Sequence, residues 1–209
     1  MKIAVINEIS TIDKNKDIIS ALEGMGHEII NTGMSQASNN PELSYIHTGF
    51  LSAILLNLKR VDFVIGGCGT GHGYLNSIMQ YPGVFCGLIL SPLDAWLFSR
   101  INGGNCISLS LNKGYGWGGE VNLKLIFDVL FNAKPGSGYP ESRREPQAIS
   151  RKILSTISQK VHYPLCEIIS KLEDEVIKPV LKFPGVLEIL DIENIEDAKL
   201  KEEIHKRIS

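Results

Sequence analysis

The chain has 209 residues, 44% apolar and 21% charged, enough to bury a sizeable core and to exclude a disordered protein. Lys and Arg number 21 against 23 Asp and Glu, a net charge of −2 with no long basic block, which argues against a nucleic-acid partner. No apolar run reaches the roughly 18 residues needed to cross a bilayer, and Met1-Lys2-Ile3-Ala4-Val5-Ile6 reads directly as a strand, so a soluble cytoplasmic protein without membrane contact is expected.

The predicted elements alternate from the first residue. Strands are expected at 2–7, 28–32, 62–67, 84–90 and 105–111, each a short apolar or β-branched run. Between the first two, Ile18, Ile19, Leu22 and Met25 recur at helical spacing and Gly26 supplies a stop. Further helices are expected at 45–58, 70–79, 92–100 and 119–131. This alternation predicts an α/β fold, a Rossmann-like three-layer αβα arrangement around a five-stranded parallel sheet, over residues 1–133. At 134–149 the composition changes: Pro135, Gly136, Gly138, Pro140 and Pro146 break regular structure and Arg143 and Arg144 add charge, so a linker or arm is expected. Residues 150–209 read as a helical C-terminal extension, interrupted at Pro164 and at Phe183-Pro184-Gly185.

The four cysteines, Cys68, Cys86, Cys106 and Cys166, contain no Cys-x-x-Cys pair, so neither a disulfide framework nor a structural metal site is expected. Cys86 and Cys106 lie in apolar strands and read as small buried hydrophobes.

In open α/β sheets ligands bind beyond the carboxyl ends of the strands. There the third strand leads into Gly66-Gly67-Cys68-Gly69-Thr70-Gly71-His72-Gly73, with five glycines, a thiol, a hydroxyl and an imidazole. Glycines let backbone N–H groups approach an oxyanion, and a thiol before a helix lies at the positive end of its dipole, which favours the thiolate. A strand-to-helix turn needs one or two glycines, so the surplus is read as a ligand-contacting loop. No Gly-Lys-Ser or Gly-Lys-Thr follows, so the loop is not a Walker phosphate loop. Cys68 and His72 alone do not make a metal site, and no metal is expected. Gly114-Tyr115-Gly116-Trp117-Gly118-Gly119 fits a dinucleotide fingerprint in spacing, but it follows the fifth strand and no acid-ended strand comes after it. It is read as a flexible loop over the site rather than as support for an NAD-dependent oxidoreductase.

Val61-Asp62-Phe63-Val64-Ile65-Gly66-Gly67-Cys68-Gly69-Thr70-Gly71, with Tyr81-Pro82-Gly83-Val84 and the Ser99-Arg100, Asn102, Asn105 stretch, resembles the ribose-5-phosphate isomerase B family, which includes galactose-6-phosphate isomerase subunits. The resemblance covers roughly residues 1–150. It implies aldose–ketose isomerisation of a phosphorylated sugar through a cis-enediolate, with no cofactor. It further implies Cys68 as the base, Thr70 in ring opening, and backbone donors from Gly69, Gly71, His72 and Gly73 for the oxyanion. Tyr45 and Asn102 then lie near the sugar, and Arg143 and Arg144 clamp its phosphate, often across a dimer interface.

Two departures stand out. The family's Asp-His after the first strand is Glu8-Ile9, which keeps an acid and loses an imidazole, and the ring-opening histidine is missing because Arg100-Ile101-Asn102 is one residue short. Either another group opens the ring, with His47 and His72 as candidates, or the substrate never closes one, as for a tetrose phosphorylated at its end. The expectation is a metal-independent isomerase of a tetrose or pentose phosphate, assembled as a homodimer or homotetramer. The competing reading is a non-catalytic sugar-phosphate binding or regulatory protein of the same fold.

Overall fold

The computed structural model describes residues 1–36 and 38–208. Five parallel strands, β1 (Lys2–Asn7), β2 (Glu28–Asn31), β3 (Phe63–Cys68), β4 (Cys86–Ile89) and β5 (Cys106–Ser110), form one sheet in the order β2-β1-β3-β5-β4. Side chains alternate across it as the period-2 geometry of a strand requires. Ile3, Val5, Ile65, Ile107 and Leu109 face one apolar layer with helices α1 (Asn15–Leu22), α4 (Pro92–Leu97) and α5 (Gly119–Asn132). Ala4, Ile6 and Val64 face the other, against α2 (Tyr45–Asn57) and α3 (His72–Ile78). α2 is apolar almost all round and most of it is buried, because a second layer of helices covers it.

The C-terminal extension consists of α6 (Arg144–Val161), α7 (Leu165–Lys171), α8 (Asp174–Lys182), α9 (Val186–Leu190) and α10 (Ala198–Ile208); α8 lies on α2 and, with α7, α9 and α10, forms that outer layer, whereas α6 packs beside residues 98–102. Ile169, Ile177, Val180, Leu190 and Ile204 join the α2–α3 core without a break. Arg60, just after α2, donates to the carbonyls of Leu190 and Asp191 at 2.9 Å each and so ties the extension to the sheet layer.

The strands fall where expected to within two residues at each end. The segment expected to be an irregular arm is helical from Arg144 onward, Pro146 included. A proline in the first turn of a helix removes an N–H that has no intrahelical partner there, so it starts α6 instead of breaking it. The chain following α4 also departs from expectation: Phe98–Asn102 winds into a single π-helical turn, closed by the Gly103 N–H on the Phe98 carbonyl at 2.9 Å.

Candidate active site

The strand order reverses between β1 and β3: β2 lies to one side of β1, and β5 and β4 lie beyond β3. Chains leaving the carboxyl ends of β1 and β3 therefore diverge and leave a crevice between them. Asn7 is in register with Gly67, so Glu8 and Cys68 enter this crevice side by side.

Each wall has a local cause. Asn7 is fully buried. Its amide donates to the carbonyls of Thr11 and Met34 at 3.0 and 2.8 Å and accepts from Asn15 at 2.7 Å, which fixes the turn after β1. Glu8 caps the 3-10 turn that follows, accepting the Ser10 N–H at 3.1 Å and the Ser10 hydroxyl. Cys68 ends β3; its carbonyl accepts from Gly71 and Leu111 at 3.2 and 3.1 Å, and 5% of the residue remains exposed. The Gly69 carbonyl accepts from Asn112 and Lys113 at 3.0 and 2.8 Å, and the Asn112 amide reaches the Ser10 carbonyl at 2.9 Å. The loops after β1, β3 and β5 are thereby laced together around the thiol. Among the described residues no acceptor meets the N–H groups of Gly69 and Thr70.

The glycine surplus has mostly a packing cause. A Cβ at Gly66 would lie 2.0 Å from the Tyr74 ring, at Gly67 2.6 Å from the Leu109 carbonyl, and at Gly71 2.6 Å from Leu88. Gly71 also caps α3 with φ +78°, a conformation other residues rarely adopt. At Gly73 a Cβ would press on the Tyr45 ring at 3.1 Å. Only Gly69 lacks such a constraint, its Cβ position lying 3.4 and 3.5 Å from Asn112 and Ser10. The premise that the loop holds more glycines than its turn requires is therefore wrong for four of the five. What remains to favour a ligand is the thiol and the two free N–H groups.

Of the residues singled out in the sequence, Glu8, Cys68, Gly69, Thr70 and Gly71 follow the paired carboxyl ends of β1 and β3, with His72 and Gly73 in the first turn of α3 and Tyr45 packed over Gly73. Thr70 accepts the His72 N–H at 3.3 Å, His72 points to solvent, and Tyr45 is 43% exposed at the start of α2. His47 is committed elsewhere: Nδ1 meets the Ser44 N–H and hydroxyl at 3.0 and 3.1 Å, and Nε2 meets the Glu175 carbonyl at 2.9 Å, linking α2 to α8. Asn102, Arg143 and Arg144 are not brought to the crevice. Asn102 precedes β5 and so sits at the amino edge of the sheet, roughly 15 Å of strand away from Cys68. Arg143 and Arg144 are exposed beside it, the loop before them being held by the Gly138 N–H on the Arg100 carbonyl at 2.8 Å. Ser10 and Asn112 were not foreseen. Their signal is positional: each is within three residues of the carboxyl end of a strand bordering β3.

Residues 3–138 match the model of the Ribose/Galactose Isomerase family. The chain belongs to the ribose/galactose isomerase family. It is a sugar isomerase by that membership, and the solved structures agree. A ribose-5-phosphate isomerase from Vibrio parahaemolyticus is 38% identical, with a TM-score of 0.92 over 100% of this chain and 99% of that one. A 4-deoxy-L-threo-5-hexosulose-uronate ketol-isomerase complexed with a tartrate is 36% identical, with a TM-score of 0.91 over 99% of both chains. A ribose-5-phosphate isomerase B from Clostridium thermocellum is 21% identical and shares the fold, with a TM-score of 0.63 over 77% of this chain. No curated protein sequence matches the chain. Among the described residues of this isomerase, no helix is long and apolar enough to cross a membrane.

Proposed function

We propose that this isomerase interconverts an open-chain aldose and ketose bearing an anionic end, with the Cys68 thiolate as the base. The sulfur takes the proton from the carbon beside the carbonyl, and the released electron pair forms the enediolate double bond and moves charge onto the carbonyl oxygen. The proton on the adjacent hydroxyl passes to the former carbonyl oxygen, which makes the first carbon the new carbonyl, and the thiol returns its proton to the former carbonyl carbon. The free N–H groups of Gly69 and Thr70, beside Cys68, are positioned as donors to that oxyanion; this pairing of a thiol with unclaimed donors is the observation that carries the proposal. Ser10 turns its hydroxyl hydrogen toward Glu8, which leaves its lone pairs to accept from a substrate hydroxyl.

The anionic end is held by a second copy of the chain. Asn102, Arg143 and Arg144 cannot reach the Cys68 of their own chain, and none of five cavities of about 300 to 530 Å³ is lined by Cys68 in a single copy. A homodimer or larger assembly placing the amino edge of one sheet against the crevice of another completes the site. The missing ring-opening histidine favours a substrate that stays open: a tetrose phosphate, or a uronate of the kind named for the relative above. A pentose phosphate is the family alternative.

Incubation in D2O with a tetrose phosphate, ribose 5-phosphate and a deoxyhexosulose uronate, followed by NMR, tests this. The expected result is deuterium at the transferred carbon, fastest with an open-chain substrate. Faster turnover of the ring-forming pentose phosphate would overturn the substrate reading. Binding without deuterium entry would overturn catalysis and leave a binding protein.

A further inference from the structure

Aldose–ketose isomerisation relocates two protons, one between adjacent carbons and one between the oxygens they carry, and a base at the carbons leaves the second without a carrier. Such a carrier has to release one proton and accept another, which a hydroxyl can do and a backbone N–H cannot. The turns after β1 and β3 expose two hydroxyl residues, Ser10 and Thr70, whereas Thr11 is fully buried. Thr70 accepts the His72 N–H at 3.3 Å, and among the described residues no ionisable side chain is bonded to its hydroxyl.

Ser10 is placed differently. Its Oγ lies 3.5 Å from where a Cβ on Gly69 would stand, so it borders the N–H groups assigned to the oxyanion. Its N–H donates to Glu8 Oε2 at 3.1 Å and its hydroxyl to Glu8 Oε1, while its carbonyl accepts the Asn112 amide at 2.9 Å. Glu8 is 5% exposed and both of its oxygens meet Ser10, so the effect of this buried carboxylate passes through the exposed hydroxyl.

We propose that Ser10 carries the oxygen-bound proton, with Glu8 as its positioning residue; this rests on the Cys68 reading above. When the thiolate takes the carbon-bound proton, negative charge gathers on the carbonyl oxygen, a more basic acceptor than a carboxylate. The Ser10 hydroxyl hydrogen turns from Glu8 to that oxygen and is transferred, while Oγ takes the proton of the neighbouring substrate hydroxyl. The electron pair of that broken O–H bond becomes the new carbonyl bond as Cys68 returns its proton to the former carbonyl carbon. One O–H bond breaks and one forms at Oγ, so Ser10 ends the cycle unchanged. Glu8, bonded to the Ser10 N–H throughout, draws the hydroxyl back.

The sugar turned over fastest among the three above is incubated in D2O, and NMR follows deuterium entry into the starting sugar separately from conversion to its isomer. In Ser10→Ala the enediolate still forms and takes deuterium at the carbon that lost its proton. Conversion should therefore fall about a hundredfold or more and exchange far less, raising the ratio of exchange to conversion at least about tenfold. The turn is kept in this variant by the Ser10 N–H on Glu8. Ser10→Thr retains a hydroxyl and should restore the ratio, and Glu8→Gln should shift it in the same direction as Ser10→Ala by a smaller factor. Loss of exchange and conversion in equal measure would make Ser10 structural and overturn the proposal, as would a parental ratio in Ser10→Ala. The base is judged separately, by exchange in Cys68→Ala, so either reading can fail without the other.

Discussion

Four glycines of the Cys68 loop are dictated by packing and one is not, which separates their substitutions sharply. Gly66→Ala drives a methyl into the Tyr74 ring, whose hydroxyl is itself bound to Ser52 at 2.7 Å, and should cost at least about 2 kcal/mol, read as a lowered thermal midpoint. Gly69→Ala should fold with a midpoint near that of the parent, its methyl meeting only ordinary contacts. Its turnover should nevertheless fall, because that methyl lies beside the donors assigned to the oxyanion. At this scale the sequence placed Glu8 beside the Cys68 loop but misassigned the cause of its glycines and gathered Asn102, Arg143 and Arg144 where the single chain does not. Cys68 and Glu8 were legible because both end strands at a place where open sheets bind ligands. The role of His47 as a helix-capping tie was not legible, since its second partner is the Glu175 carbonyl, 128 residues away.

Elements were easier to read than their junctions. Strand periodicity fixes β1 to β5 without tertiary information, whereas the π-helical turn at Phe98–Asn102 depends on the clamp from the 134–138 loop and has no local signal. The outer helices are joined partly by charge. Asp174 on α8 accepts from Lys178 and from Arg207 of α10, hydrogen bonds that hold its carboxyl below the usual carboxylate range. Because the folded value is depressed, this contribution is present above the ordinary carboxylate range and is lost as pH falls through the folded value. Asp174→Asn should therefore lower the thermal midpoint near neutral pH, and the difference from the parent should shrink in acid. A gap that widens on acidification would contradict the assignment. Asp174 is exposed at the surface, so the shift is expected to be small and to diminish with salt.

On the scale of the whole molecule, α6 is the feature that a single copy leaves unexplained. Ile149, Ile153, Ile157 and Val161 recur every fourth residue and are 52, 55, 46 and 69% exposed, an apolar stripe next to the arginines that the crevice lacks. A second copy covering this stripe would bring Arg143 and Arg144 to a foreign Cys68. Ile153→Glu should then shift sedimentation toward the monomer and reduce turnover together, with the circular dichroism unchanged; an unaltered assembly would remove α6 from the interface. Mixing Cys68→Ala with the Arg143→Ala, Arg144→Ala double variant should restore part of the activity that each lacks alone, because a hybrid carries one intact site. A homodimer with arginines acting across its interface was expected from the family resemblance alone; composition and spacing report what one chain can bury and not what it leaves for another.

The proton transfer assigned to Cys68 is tested most directly by the rate at which solvent deuterium enters the carbon-bound position of the substrate, compared between the parent protein and Cys68→Ala at equal substrate occupancy. The expected result is loss of exchange by at least about a thousandfold with binding retained, in the range that removal of a general base produces. Exchange that continues at the parental rate without the sulfur would contradict the account.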